Sequence, residues 1–82
     1  MAIITFHDGT SYTGQYSQTA GQLFLILNDA KLKEVYPVVF VEGNVSTIDV
    51  REGETTKQIR YFKNLVAIRQ ESDTMVSVEL SM

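Results

Sequence analysis

His7 and Asp8 are adjacent, and His7 is the only histidine in the chain. A histidine beside a carboxylate is the smallest unit of a general base with its orienting acid, or half of a metal site. A zinc site needs three or four protein ligands, and the sequence offers no cysteine and no second imidazole. Gly9 follows directly, so His7-Asp8-Gly9 reads as a hairpin loop in which Asp8 sets the turn and Gly9 supplies a left-handed residue. Asp49, Glu52 and Glu54 gather around Gly53. A calcium loop would alternate its oxygen ligands over about twelve residues, but Arg51 and Lys57 interrupt any such spacing, and a solvated hairpin tip fits better. Glu71 and Asp73 suit a polar turn in the same way. There is no G-x-S-x-G nucleophile motif and no Gly-rich phosphate loop. The expectation is a non-enzyme with no catalytic, cofactor-binding or metal-binding residue.

The basic residues pose the other chemical question. Arg51, Lys57, Arg60, Lys63 and Arg69 fall within one third of the chain, with Tyr61 and Phe62 among them. A basic sheet bearing aromatic rings is how small barrels of the OB type bind single-stranded nucleic acid. Arg51, Lys57, Arg60, Phe62, Lys63 and Arg69 therefore form a candidate nucleic-acid surface. The same charges are equally suited to cross-strand pairing with Glu52, Glu54, Glu71 and Glu79. A net charge of −3 also lacks the electrostatic footprint of a nucleic-acid binder, so this is the alternative reading.

The elements that must position these residues are strands. In the stretch from Ile59 to Leu80, Ile59 and Tyr61 flank Arg60, Val66 and Ile68 flank Ala67, and Val76, Val78 and Leu80 flank Ser77 and Glu79. Period-two alternation marks a sheet with one buried face. A two-residue turn at Lys63-Asn64 would pair Phe62 with Leu65, Tyr61 with Val66 and Ile59 with Ile68. A three-residue loop, Ser72 to Thr74, would pair Ile68 with Val78 and Val66 with Leu80. Slipping by one residue would flip every side chain, which favours this loop over a two-residue turn at Ser72-Asp73.

Upstream, Ala2 to His7 is a short strand, and a three-residue loop sets Ile4 opposite Tyr12. Thr10 to Gln18 is polar and reads as a half-exposed edge, with Gly14 a bulge or bend. Leu23 to Leu27 is apolar on both faces, the pattern of a strand buried on both sides. A short helix over Ala30 to Val35, capped by Asn28 or Asp29 and ended by Pro37, or an irregular crossover, fills the region near 30–36. Pro37 to Val41 then runs extended, Ser46 to Arg51 is a strand, Glu52-Gly53-Glu54 is a turn, and Thr55 to Phe62 returns.

With 82 residues the chain makes one domain, 1–82, with a modest core. No apolar run approaches the roughly 18 residues that span a bilayer, and the start MAIITFHDG lacks a basic leader. The expected setting is cytoplasmic, the chain being either kept there or released from there as part of an assembly.

The opening ITFHDGTSYTG resembles the "ITF-x-DGT" start of small proteins encoded in prophages and phage-like gene clusters of Gram-positive bacteria. The apolar strand Leu23 to Leu27, the unit from Ile48 to Ile59 around its acidic glycine turn, and the tail from Leu65 to Leu80 resemble the same family. The resemblance implies a structural role near tail or virion genes. It carries no activity and no catalytic residue.

These readings combine into a mainly β fold, a small antiparallel barrel or two-layer sandwich of about seven strands with one short helix. The expected core is Ile4, Phe6, Phe24, Leu25, Ile26, Phe40, Ile48, Val50, Ile59, Tyr61, Val66, Ile68, Val76, Val78 and Leu80. The expected function is a phage-like structural or assembly protein acting through protein–protein contacts. Its partners would be itself and other phage structural proteins, because a single layer cannot cover both faces of Leu23 to Leu27; the alternative is that residues 29 to 44 fold back over the strand and close a monomeric barrel. The candidate interaction surface is Leu23, Leu25, Leu27, Val39 and Val41.

Overall fold

Gly9 makes the first turn, at φ 92°. The Phe6 N–H donates to the Thr10 carbonyl at 2.9 Å, and Asp8 Oδ1 accepts from the Thr10 N–H at 2.9 Å. This sets Ile4 opposite Tyr12 and joins strand β1 (Ala2–Phe6) to β2 (Ser11–Gln18) in the expected register. The computed structural model describes residues 1–41, 44–45, 47–60 and 62–82, without the side chains of 41, 44 and 45.

The remaining main strands are β3 (Gln22–Asn28), β6 (Ile48–Glu52), β7 (Thr55–Ile59), β8 (Asn64–Ser72) and β9 (Met75–Ser81). A short helix α1 (Leu32–Val39) follows β3, and a two-residue pair, β4 (Phe40–Val41) with β5 (Asn44–Val45), follows the helix. The seven long strands form one antiparallel sheet in the order β7-β6-β1-β2-β3-β9-β8. The fold is mainly β with one short helix, as the alternation predicts.

The sheet is curled. Laid flat, six strand spacings would separate β7 from β8 by about 29 Å. Only five Cα steps join Ile59 to Asn64, a reach of at most about 18 Å. The two edges must therefore approach each other, although no hydrogen bonds among the described residues close β7 onto β8.

Cross-strand register defines the inner face. Ile59, Ile48 and Phe6 form one row, Leu25 and Val78 another, and Leu23 and Leu80 a third. All are buried, and α1 adds Val35 and Val39 to the same core. Each such side chain contributes roughly 1.5–3 kcal/mol when fully buried. The rows thus fix the register more strongly than any turn does.

Several expectations change. Thr10 to Gln18 is not an edge: β2 is the middle strand of the seven. Its polar side chains reflect a solvent-facing outer surface, with Tyr12 and Tyr16 packed on the inner side. Gly14 sits in regular pairing with both Ala2 and Leu27. Ile59 pairs with Ile48 on β6 and not with Ile68, and among the described residues β7 and β8 are not paired through Lys63-Asn64. Ile68 does oppose Val78, through a two-residue turn at Asp73-Thr74 plus an irregularity between Gln70 and Ser72, which restores the parity of a three-residue loop. A second irregularity, between Leu65 and Ala67, sets Leu65 opposite Leu80 and leaves Val66 52 % exposed.

Of the remaining expected core residues, Phe24 is exposed, Ile26, Phe40 and Ile68 are half-buried, and Tyr61 lies outside the described residues. The helix begins two residues later than expected and contains Pro37. The ring is exposed, and its fixed φ suits a helix of this length at the loss of a single backbone bond. Neither Asn28 nor Asp29 caps it. Asp29 takes a left-handed φ of 52°, and Lys31 is the N-cap residue.

Candidate interaction surface

Large apolar side chains meet solvent at the chain ends, at Tyr36 on α1 and on the sheet at Ile3, Phe24 and Val66. On β3 the inward residues Leu23, Leu25 and Leu27 are fully buried, and Phe24 points outward with 41 % of its surface exposed. Strand register extends this position into two outer rows. One runs Ser17, Phe24, Glu79, Ala67, and the other Gln15, Ile26, Ser77, Arg69, each crossing β2, β3, β9 and β8.

Phe24 stands between two hollows. On the β8 side the hollow is lined by Ala67, Arg69, Glu71, Ser77 and Glu79, and on the β2 side by Gln15, Ser17 and Ile26. Ser77 is only 6 % exposed although it lies on the outer face. Its hydroxyl donates to Glu71 Oε1 at 2.7 Å, which fixes a carboxylate at the rim. Glu71 occupies the irregularity between Gln70 and Ser72, which aims its side chain back over the sheet. The patch is therefore an apolar centre of Phe24, Ile26 and Ala67 with both signs of charge at its edge.

The interaction surface expected from sequence falls elsewhere. Leu23, Leu25, Leu27 and Val39 are interior, covered within the chain by α1 and the curl of the sheet. Val41 belongs to β4, and its side chain lies outside the described set. The strand is apolar on both parities, and the face left open carries Phe24 and Ile26.

The basic residues are not gathered on one surface. Arg51 shares an outer row with Ile3 and Thr56, whereas Lys57 lies opposite Val50 on the inner side of the hairpin. Arg60 hydrogen-bonds the Gln58 side chain, and Lys63 is exposed ahead of β8. Arg69 is on β8, at the other edge in strand order. Phe62 is 6 % exposed, so its ring is packed and not presented to a base.

His7 and Asp8 form an exposed turn, and the Thr10 hydrogen bonds hold the Asp8 carboxyl below its ordinary value. Asp49 and Glu52 diverge. Asp49 lies on the outer side with a buried Oδ1 that finds no hydrogen-bond partner among the described residues, and Glu52 lies beside Tyr16. Hydrogen bonding to the Glu52 carboxylate, then burial, raise the Tyr16 hydroxyl above its usual range. Among the described residues no three His, Asp or Glu side chains come together to hold a metal ion. Among them, too, no helix is long and apolar enough to cross a membrane.

Comparison of the chain with protein-family models, with curated proteins and with solved structures finds no match.

Proposed function

We propose that the chain is a non-enzymatic structural or assembly component that works through protein–protein contacts, self-association among them. The setting we assign is the virion- or tail-associated one implied by the resemblance to phage-like proteins. The observation that carries this reading is Phe24. It is a large apolar side chain left open on the outer face of a sheet whose inner face already has a complete core. An aromatic ring open at the centre of a sheet face, with half-buried Ile26 and Ala67 beside it, is a feature that a protein contact could use.

Two measurements test the reading. Light scattering over a dilution series should give a mass above the 9.2 kDa of one chain at high concentration, and a constant single-chain mass would overturn self-association. Mass spectrometry of phage-like particles purified from the source should find the chain among their proteins. Its absence from such particles would remove the virion setting.

A further inference from the structure

We infer that Asp8-Gly9 is a site of spontaneous modification, at which the aspartate converts to isoaspartate, and that the β1–β2 turn gates the reaction by holding both reacting groups in hydrogen bonds. This stands apart from the assembly reading above.

Isoaspartate forms when the backbone nitrogen that follows an aspartate attacks that residue's own side-chain carboxyl carbon. A side chain on the following residue hinders the attack, and glycine has none. Asp8 is the only Asp or Asn in the chain that precedes a glycine. Asn28, Asp29, Asn44, Asp49, Asn64 and Asp73 all precede residues with a side chain. Asp8 and Gly9 are both exposed, so water reaches them.

The chemistry needs no co-reactant beyond water. The Gly9 nitrogen bonds to Asp8 Cγ and gives up its proton, while the neutral carboxyl loses its hydroxyl as water. The product is a cyclic imide. Water then adds to the backbone carbonyl carbon of Asp8 and breaks its bond to nitrogen. The chain now runs on through Cβ and Cγ, and the former backbone carbonyl becomes the free carboxylate.

The turn opposes ring closure at both partners. The Gly9 N–H, which must lose its proton, donates to the Phe6 carbonyl at 2.9 Å. Asp8 Oδ1, which must swing toward Gly9, accepts from the Thr10 N–H at 2.9 Å. The Thr10 hydrogen bonds also hold the carboxyl below its ordinary value, in the charged form that has no hydroxyl to lose. Ring closure therefore waits until the turn opens and both bonds break. The product adds Cβ to the backbone of the loop that sets Ile4 opposite Tyr12 and takes the carboxylate off Thr10, so a modified chain does not close the same turn.

The test compares the full chain folded in buffer with the same chain unfolded in guanidinium chloride, at one pH and one temperature. Isoaspartate is counted by peptide mapping and by methyl transfer from an isoaspartate-specific methyltransferase. The unfolded chain should form it first at Asp8, and at least about tenfold faster than the folded chain, the order of suppression that two such hydrogen bonds provide. Gly9→Ala should slow the reaction in the unfolded chain, where the turn plays no part. Equal rates in the folded and unfolded chains overturn the gate. An unfolded chain that forms isoaspartate first at another Asp or Asn, or none at Asp8, overturns the site, as does an undiminished rate in Gly9→Ala.

Discussion

Gln70 and Leu32 are 38 residues apart in sequence, and the Leu32 N–H donates to Gln70 Oε1 at 2.8 Å. The side-chain amide of β8 thus caps the start of α1, a task usually performed by the residue before the helix. The other end of the same amide lies within reach of the carbonyls of Ala30, Ser72 and Met75, at 3.1, 2.6 and 3.2 Å. One residue therefore ties the helix entry to the β8–β9 turn. The Lys31 ammonium reinforces the tie by donating to the Asp73 carbonyl.

Gln70→Ala should cost about 1–2 kcal/mol in denaturant unfolding, the loss of a cap and its paired bonds. Gln70→Glu should also destabilise, because a carboxylate keeps the acceptor for Leu32 and turns an oxygen toward three carbonyls. A Gln70→Glu chain as stable as the wild type would show that the amide nitrogen contributes nothing.

This cap explains why the helix boundary was hard to read from sequence. The rules look for Ser, Thr, Asp or Asn just ahead of the helix, and Asn28 and Asp29 satisfied them. The donor bond goes instead to a residue brought close only by the sheet. What alternation does report is which parity is buried once a strand exists, as for Ile4 and Phe6, or Val76, Val78 and Leu80. It does not name the neighbouring strand. Ile59 had apolar partners available on either β6 or β8, and parity suits both. The exposed outer face was half legible for the same reason. Leu23 to Leu27 declares two apolar faces, and only the packing of α1 decides which one stays open.

Val66 tests the irregularity in β8. Simple alternation puts it in the core opposite Leu80, whereas the observed register gives that place to Leu65 and leaves Val66 exposed. Val66→Asp should change stability by less than about 0.5 kcal/mol, as for other surface substitutions. Val78→Asp should unfold the domain, because an unpaired buried carboxylate costs several kcal/mol against a total of roughly 5–15 kcal/mol. Comparable losses at the two sites in urea titrations would rule out the register.

Two titrations of opposite sign accompany the turns. The Thr10 hydrogen bonds depress Asp8 below 3.8, so its stabilisation is complete above that value and is lost as pH falls through the lower folded value. Tyr16 is raised above 10.0 by Glu52 and then by burial. Its contribution is complete below pH 10.0 and is lost as pH rises through the raised value. In an alkaline titration followed by phenolate absorbance, Glu52→Gln should move one tyrosine step back toward 10.0, and the same step should be missing in Tyr16→Phe. No movement in Glu52→Gln would remove Glu52 as the cause.

Gly14 provides the sharpest test of how the sheet is packed. A methyl group built on its Cα would stand 1.8 Å from the Ile26 carbonyl oxygen and 2.9 Å from the carbonyl carbon. Both are backbone atoms of the adjacent strand, so no side chain can swing away to make room. Gly14 also pairs with Ala2 on its other side, so β2 is held between two neighbours and cannot shift alone. Gly14→Ala should therefore cost on the order of 3 kcal/mol, the upper range for overpacking. Gly21 is the control, because a methyl group there meets nothing within 4 Å. Gly21→Ala should be close to neutral. Gly9→Ala should fall between, since its space is open but its φ of 92° strains any side chain. Equilibrium unfolding of the three variants should rank them Gly14, Gly9, Gly21 in order of loss. If Gly14→Ala is no more damaging than Gly21→Ala, the close approach of β2 to β3 does not exist.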